Sequence, residues 1–179
     1  MHTLSLDLSD LKAQAKEKEH ENNAFAKFLR QFPSSTLDPL VASLCDEIEP
    51  TIDCKACANC CKGLYAAAFE HELPALAHAK GISVEAFKET LVKPYKDAYY
   101  FTTKPCPMLR ENLCSAYDVR PISCRTFPNL KGEHFKYRFQ SVMEKYPICP
   151  IVFNVVERLK EALSFPKPLQ HQTSNQVQP

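Results

Sequence analysis

A mainly α fold with a few short strands is what this 179-residue sequence predicts, and three observations predict it. Apolar residues recur at three- and four-residue steps over several stretches, which is the helical period. Only three glycines occur (Gly63, Gly81 and Gly132) against fourteen prolines, a composition of helices broken by proline-marked turns rather than of a glycine-turned β-sandwich. The third observation is a set of nine cysteines, four of them packed between Cys54 and Cys61. The apolar fraction of 45% is that of a globular protein, and the length suits one ordinary domain with extensions.

Taken in order, residues 4–32 read as one long helix. Leu4, Leu8, Leu11, Ala15, Lys18, Asn22, Phe25, Leu29 and Phe32 follow alternating four- and three-residue steps without a slip. Only the ends of that stripe are apolar, so the helix is expected to dock at its ends and to be solvated between them, or to support a partner helix. Lys18 and Asn22 at core positions would weaken a coiled coil. Pro33-Ser34-Ser35 ends this element, and Ser35 or Thr36 can cap a second helix through about Glu49 with Leu37, Leu40, Val41, Leu44 and Ile48 on one face. Cys45 falls inside that pattern, away from the other cysteines, and reads as a small buried thiol. A short helix is expected over Glu70–Lys80 with Gly81 as its C-cap, then another capped by Ser83 and stopped by Pro94. Asp97–Thr103 is rich in aromatic and β-branched residues and reads as a strand, and the alternation Phe135, Tyr137, Phe139 predicts a second. A last amphipathic helix runs over Ile151–Leu163 through Val152, Val155, Val156, Leu159 and Leu163, and the polar tail after it reads as disordered. The chain thus divides into an N-terminal helical extension (1–49), a cysteine-cluster domain with its C-terminal helix (50–163) and a tail (164–179).

The formal net charge is +1, from 22 basic and 21 acidic residues, and gives no reason to expect nucleic acid or an anionic membrane as partner. No segment reaches the roughly 18 apolar residues of a membrane helix, and Met1-His2-Thr3-Leu4 lacks the basic start and apolar run of a secretory signal. A reducing, cytoplasmic location is expected, where nine cysteines are hard to explain as disulfides.

The chemistry therefore lies in the cysteines. Cys54-Lys-Ala-Cys57-Ala-Asn-Cys60-Cys61 is followed at a distance by Cys106, Cys114 and Cys124, and then by Cys149-Pro150. Two residues between thiols let the chain turn tightly enough for both sulfurs to face one ion while intervening N–H groups donate to them. Three cysteines so spaced, with a Cys-Pro supplied from afar, is also the bacterial-ferredoxin arrangement of iron–sulfur ligands. A zinc ribbon more often shows a second Cys-x2-Cys pair. The pattern leans towards iron–sulfur, and thiolates suit either metal. Cys60 and Cys61 cannot easily point at one place in an extended backbone, so they are expected to serve two centres or two roles. The run from Cys54 to Cys61 supplies at most three easily convergent ligands, so Cys106, Cys114, Cys124 and Cys149 must come in from distant segments, and fold and metal content are expected to fail together. Arg120 and Arg125 are assigned to the surroundings of the metal, where positive charge would offset the thiolates and lower their pKa, whereas Lys55, Lys62 and Lys104 read as solvated charge. His71 and His78, seven apart around Pro74, do not make a His-Glu-x-x-His zinc site.

These residues carry a resemblance. Cys54-x2-Cys57-x2-Cys60-Cys61, then Cys106-Pro-Met-Leu, Cys114-x2-Tyr117-x2-Arg120-Pro121-x2-Cys124-Arg125 and Phe127-Pro128, are similar to the YkgJ-like CxxCxxCC family of zinc- or iron-chelating domains. Gly81-Ile-Ser-Val-Glu-Ala-Phe87 resembles the helical insert of that family. The match covers roughly residues 50–150 and leaves the N-terminal helices and the tail outside it. It implies metal or iron–sulfur binding, loosely an oxidoreductase, with no established substrate; related cysteine clusters occur in flagellin lysine methylases.

Three functions follow as expectations. The chain is a metal-binding protein that holds an iron–sulfur cluster, iron or zinc through up to eight cysteines. Alternatively it is an iron–sulfur oxidoreductase or electron carrier, or a zinc-stabilised interaction scaffold whose N-terminal helix recruits a protein partner. No Gly-x-Gly-x-x-Gly or phosphate-binding loop is present to support a self-contained enzyme.

Overall fold

A computed structural model describes residues 7–166. The fold is mainly α, with a few short strands. The expected long first helix is two: α1 (Leu8–Glu17) and α2 (Glu19–Leu29) meet at Lys18, whose backbone (φ −90°, ψ 5°) leaves the helical region. Within the described residues the stripe holds, with Leu11, Asn22, Phe25 and Leu29 all buried, and its expected start at Leu4 lies outside them. Its polar middle is not solvated as expected. Lys18 Nζ lies 2.9 Å from Glu157 Oε2 on the last helix, and Asn22, 5% exposed, hydrogen-bonds with Tyr146.

Helix α3 (Ser34–Ile48) begins earlier than expected, after Pro33 and without a side-chain cap. It buries Leu37, Val41, Leu44, Cys45 and Ile48. It packs on α10 (Pro150–Ala162) and on α9 (Phe135–Met143). The expected strand at Phe135–Phe139 is therefore a helix. Its aromatic residues also fit the helical period, with Phe135, Phe139 and Val142 buried and Tyr137 76% exposed. The cap that starts it is remote: the Asp38 carboxylate on α3 accepts the N–H groups of His134 at 2.7 Å and Phe135 at 2.9 Å. One hydrophobic core joins α1, α2, α3, α9 and α10, from Leu11 to Leu159. Phe165, placed in the tail by the sequence, stacks edge-on against Phe25 at 5.0 Å; the remainder of that tail from residue 167 lies outside the described residues.

The middle of the chain builds a second, smaller core from Ala68, Leu73, Leu76, Phe87, Val92, Phe101 and Met108. It contains α6 (Leu73–Lys80), ended by Gly81 in the left-handed conformation (φ 76°), and α7 (Val84–Thr90), whose N-cap Ser83 accepts the Ala86 N–H. Both caps are where the sequence places them. Pro94 does not stop a helix; it lies in β2 (Val92–Tyr95). The sheet order is β1 (Ala67–Ala68), β3 (Ala98–Phe101), β2, so β2 is an edge strand that can spare the N–H proline lacks. A two-stranded hairpin, β4 (Leu109–Arg110) and β5 (Leu113–Cys114), completes the strands. Among the described residues, no helix is long and apolar enough to cross a membrane.

Candidate metal centre

The cysteine run is built from two very short helices, α4 (Cys54–Cys57) and α5 (Asn59–Gly63). Asp53 starts α4 by accepting the N–H groups of Lys55 at 2.9 Å and Ala56 at 3.4 Å. Ala58, 4% exposed, then adopts a left-handed conformation (φ 49°) that costs about 1–2 kcal/mol for a residue with a side chain. That turn sets Cys54 and Cys57 on one helix and Cys60 and Cys61 on the next. The backbone at Cys60 and Cys61 is helical rather than extended, and their sulfurs stand 4.0 Å apart, closer than the expectation of divergent thiols.

The later cysteines reach this run through backbone ties. The Cys106 N–H donates to the Cys61 carbonyl at 2.7 Å. Cys114 lies on β5 opposite Leu109, and the Asn112 side chain in the hairpin turn donates to the Ala56 carbonyl. Cys124 lies on the single-turn helix α8 (Ile122–Arg125), whose first N–H is held by Glu72 Oε1 at 2.7 Å. Cys149 is the N-cap of α10 and is 5% exposed. All eight of these cysteines line one of two adjoining cavities, whereas Cys45 is buried in the helical core away from them. The larger cavity, about 480 Å³, is walled by Cys54, Cys60, Cys61, Cys106, Cys114 and Cys124. The smaller, about 30 Å³, is walled by Cys54, Cys57, Cys60 and Cys149.

Arg120 and Arg125 both border the larger cavity. Arg120 stacks its guanidinium 3.5 Å from the Tyr117 ring centre and donates from Nε to the Tyr117 carbonyl at 2.9 Å. Its charge acts on Cys54 and Cys60, favouring their thiolates. Arg125 is turned outward towards Glu72, at 3.9 Å. Lys55, read from the sequence as solvated charge, lies 4.4 Å from the centre of the same Tyr117 ring. Phe127 was given no role by the sequence and walls both cavities; its position in the Phe127-Pro128 pair of the cysteine motif was the available signal.

The expectation that basic neighbours lower the thiol pKa values is corrected by burial. Desolvation pushes Cys54, Cys57 and Cys106 up, Cys124 to about 11 and Cys149 to about 12. At Cys149 the Val152 and Ile151 N–H groups at the start of α10 favour the thiolate, and burial outweighs them. Cys60 is the exception. The hydrogen bond it shares with the Cys61 thiol brings it down to about 7, while Cys61 is pushed up by the same contact.

The donor set fits a soft metal, since it is almost wholly sulfur with cationic groups beside it. Among the described residues, no three His, Cys, Asp or Glu side chains converge tightly enough as they stand to grip an ion.

Eight cysteines drawn from five segments thus wall a pair of adjoining cavities. Residues 53–149 match the CxxCxxCC family, described as a "putative zinc- or iron-chelating domain", and the chain belongs to that family. No curated protein and no solved structure matches it.

Proposed function

We propose that the protein holds an iron–sulfur cluster through its clustered cysteines, and that Cys54, Cys57, Cys60, Cys61, Cys106, Cys114, Cys124 and Cys149 are the ligand set. One observation carries this reading: six cysteines surround a cavity of about 480 Å³, far more room than a single ion fills. Arg120 and Arg125 would offset the charge of the loaded thiolates. With a redox-active cluster the protein would act as an electron carrier or oxidoreductase.

A second reading has its own support. The elements α4, α5, β4, β5 and α8 are only two to five residues long. Elements so short depend on an added tie, which zinc would supply as a structural clamp. Purification without oxygen separates the two. Brown protein containing iron and acid-labile sulfide, with visible absorption that bleaches on reduction, is the expected result. Colourless protein with stoichiometric zinc would overturn the cluster in favour of the clamp.

A further inference from the structure

Resting on the reading that the thiols of the larger cavity hold metal, we infer that the same cavity also binds a small organic carboxylate with an apolar body, its charged group held by Arg120 and Lys55 beside the Tyr117 ring.

The cations of this cavity are not equally free. Lys55, Arg120, Arg125 and Lys145 line it, and Glu144 is the one acidic residue in its walls. Arg125 leans towards Glu72 at 3.9 Å, and Lys145 Nζ donates to the Pro128 carbonyl at 3.0 Å. Arg120 and Lys55 have no carboxylate partner among the described residues. Both charges gather on one ring: the Arg120 guanidinium lies 3.5 Å and Lys55 Nζ 4.4 Å from the centre of Tyr117. Arg120 Nε is taken by the Tyr117 carbonyl at 2.9 Å, which anchors the guanidinium and leaves its two Nη groups to donate. A guanidinium fixed by stacking and one hydrogen bond presents a planar fork that matches the two oxygens of a carboxylate. Lys55 adds a second positive charge beside that fork.

The remaining walls decide what the rest of the ligand is. Leu76, Phe101, Met108 and Ala116 reach the cavity from the second core, and Leu64 and Ala66 add to that apolar wall. At about 480 Å³ the cavity has the size of a small-molecule site, in which apolar walls bury the body of the ligand and a few polar groups orient it. None of the three glycines lines it, so it lacks the glycine-rich backbone cradle that takes phosphate groups. Arg120 and Lys55 therefore select a carboxylate, and the wall from the second core selects hydrocarbon behind it. Cys54 and Cys60 wall the same cavity, so a ligand seated there shares it with the thiol-held metal.

The test uses full-length protein purified without oxygen, with zinc and iron per chain counted by elemental analysis and binding followed by isothermal titration calorimetry. Octanoate is expected to bind. Inorganic phosphate, and 1-octanol, which has the same chain without the charge, should each bind about tenfold more weakly or worse. At equal metal content, Lys55→Met and Arg120→Gln should each weaken octanoate about tenfold. Lys104→Met removes the cation 4.0 Å from the ring centre of Tyr65, another tyrosine of the cavity, and should leave octanoate binding unchanged. If Arg120→Gln fails to fold by circular dichroism, Lys55→Met, at an exposed position of α4, decides the matter. Metal-loaded protein that ignores octanoate, that binds octanol or phosphate equally well, or that keeps its affinity without the Lys55 charge would overturn the carboxylate site and leave metal binding intact. Protein purified this way without zinc or iron would overturn the metal reading and this inference with it.

Discussion

Stripping the metal anaerobically with a strong chelator is expected to melt the cysteine layer and leave the helical core standing. The core from Leu11 to Leu159 is closed by its own side chains, and Cys149 is the only clustered cysteine within it. Helices α4, α5 and α8 hold 4, 5 and 4 residues, against 10, 11, 15, 9 and 13 in α1, α2, α3, α9 and α10. Helices so short do not persist without tertiary support, so chelation should remove roughly 15% of the α-helical ellipticity. Hydrogen exchange locates the loss. The amides of Cys57 and Cys106, bonded to the Asp53 and Cys61 carbonyls, should open, while those of α3 and α10 stay protected. A cooperative urea transition should remain. Loss of more than half the ellipticity, or of the cooperative transition, would show that fold and metal are inseparable, as the sequence suggested. Unchanged exchange at Cys57 and Cys106 would refute the idea that metal supports this layer.

Three further outcomes can be checked. Lys160, 5% exposed, contacts Glu21 at 2.7 Å and Glu157 at 2.6 Å, so Lys160→Met should lower stability in urea by about 3 kcal/mol, whereas Arg158→Ala, at the exposed pair with Glu47, should cost under about 1 kcal/mol. Burial alone would raise Glu157, but hydrogen bonds from Lys160 and Lys18 outweigh it and hold the carboxyl below its ordinary 4.5; stability from this group is present above that value and falls as pH drops through the lower folded value, and Glu157→Gln should flatten that part of the urea-midpoint profile. Cys45→Ala should leave metal content unchanged by elemental analysis, while Cys57→Ser and Cys124→Ser should reduce it, because Cys45 lies in the helical core and lines neither cavity.

Local rules made much of this protein legible. The helical stripes of α2, α3 and α10, the Ser83 N-cap, the Gly81 C-cap and the strand at Ala98–Phe101 all depend on residues a few positions apart. The cysteine spacing likewise announced a sulfur-rich site, since ligand reach is a local property at Cys54–Cys57 and Cys57–Cys60. Elsewhere a distant partner decided the structure. Phe135–Phe139 satisfies both the strand and the helix period, and Asp38, 97 residues away from Phe135, tips it by capping the helix. Lys18 and Glu21 look like solvated positions until α10 brings Glu157 and Lys160 against the first two helices. The thiol pKa values follow the same logic. Sequence shows which charges stand next to each cysteine, while folding sets the burial that outweighs them at Cys124 and Cys149. By itself the sequence determined the family of this chain and the clustered cysteines that mark it. Which thiols face which cavity was decided by tertiary contacts, among them the left-handed turn at Ala58, the tie from the Cys106 N–H to the Cys61 carbonyl and the packing of α10, because these depend on the path of the chain through space rather than on the intervals along it.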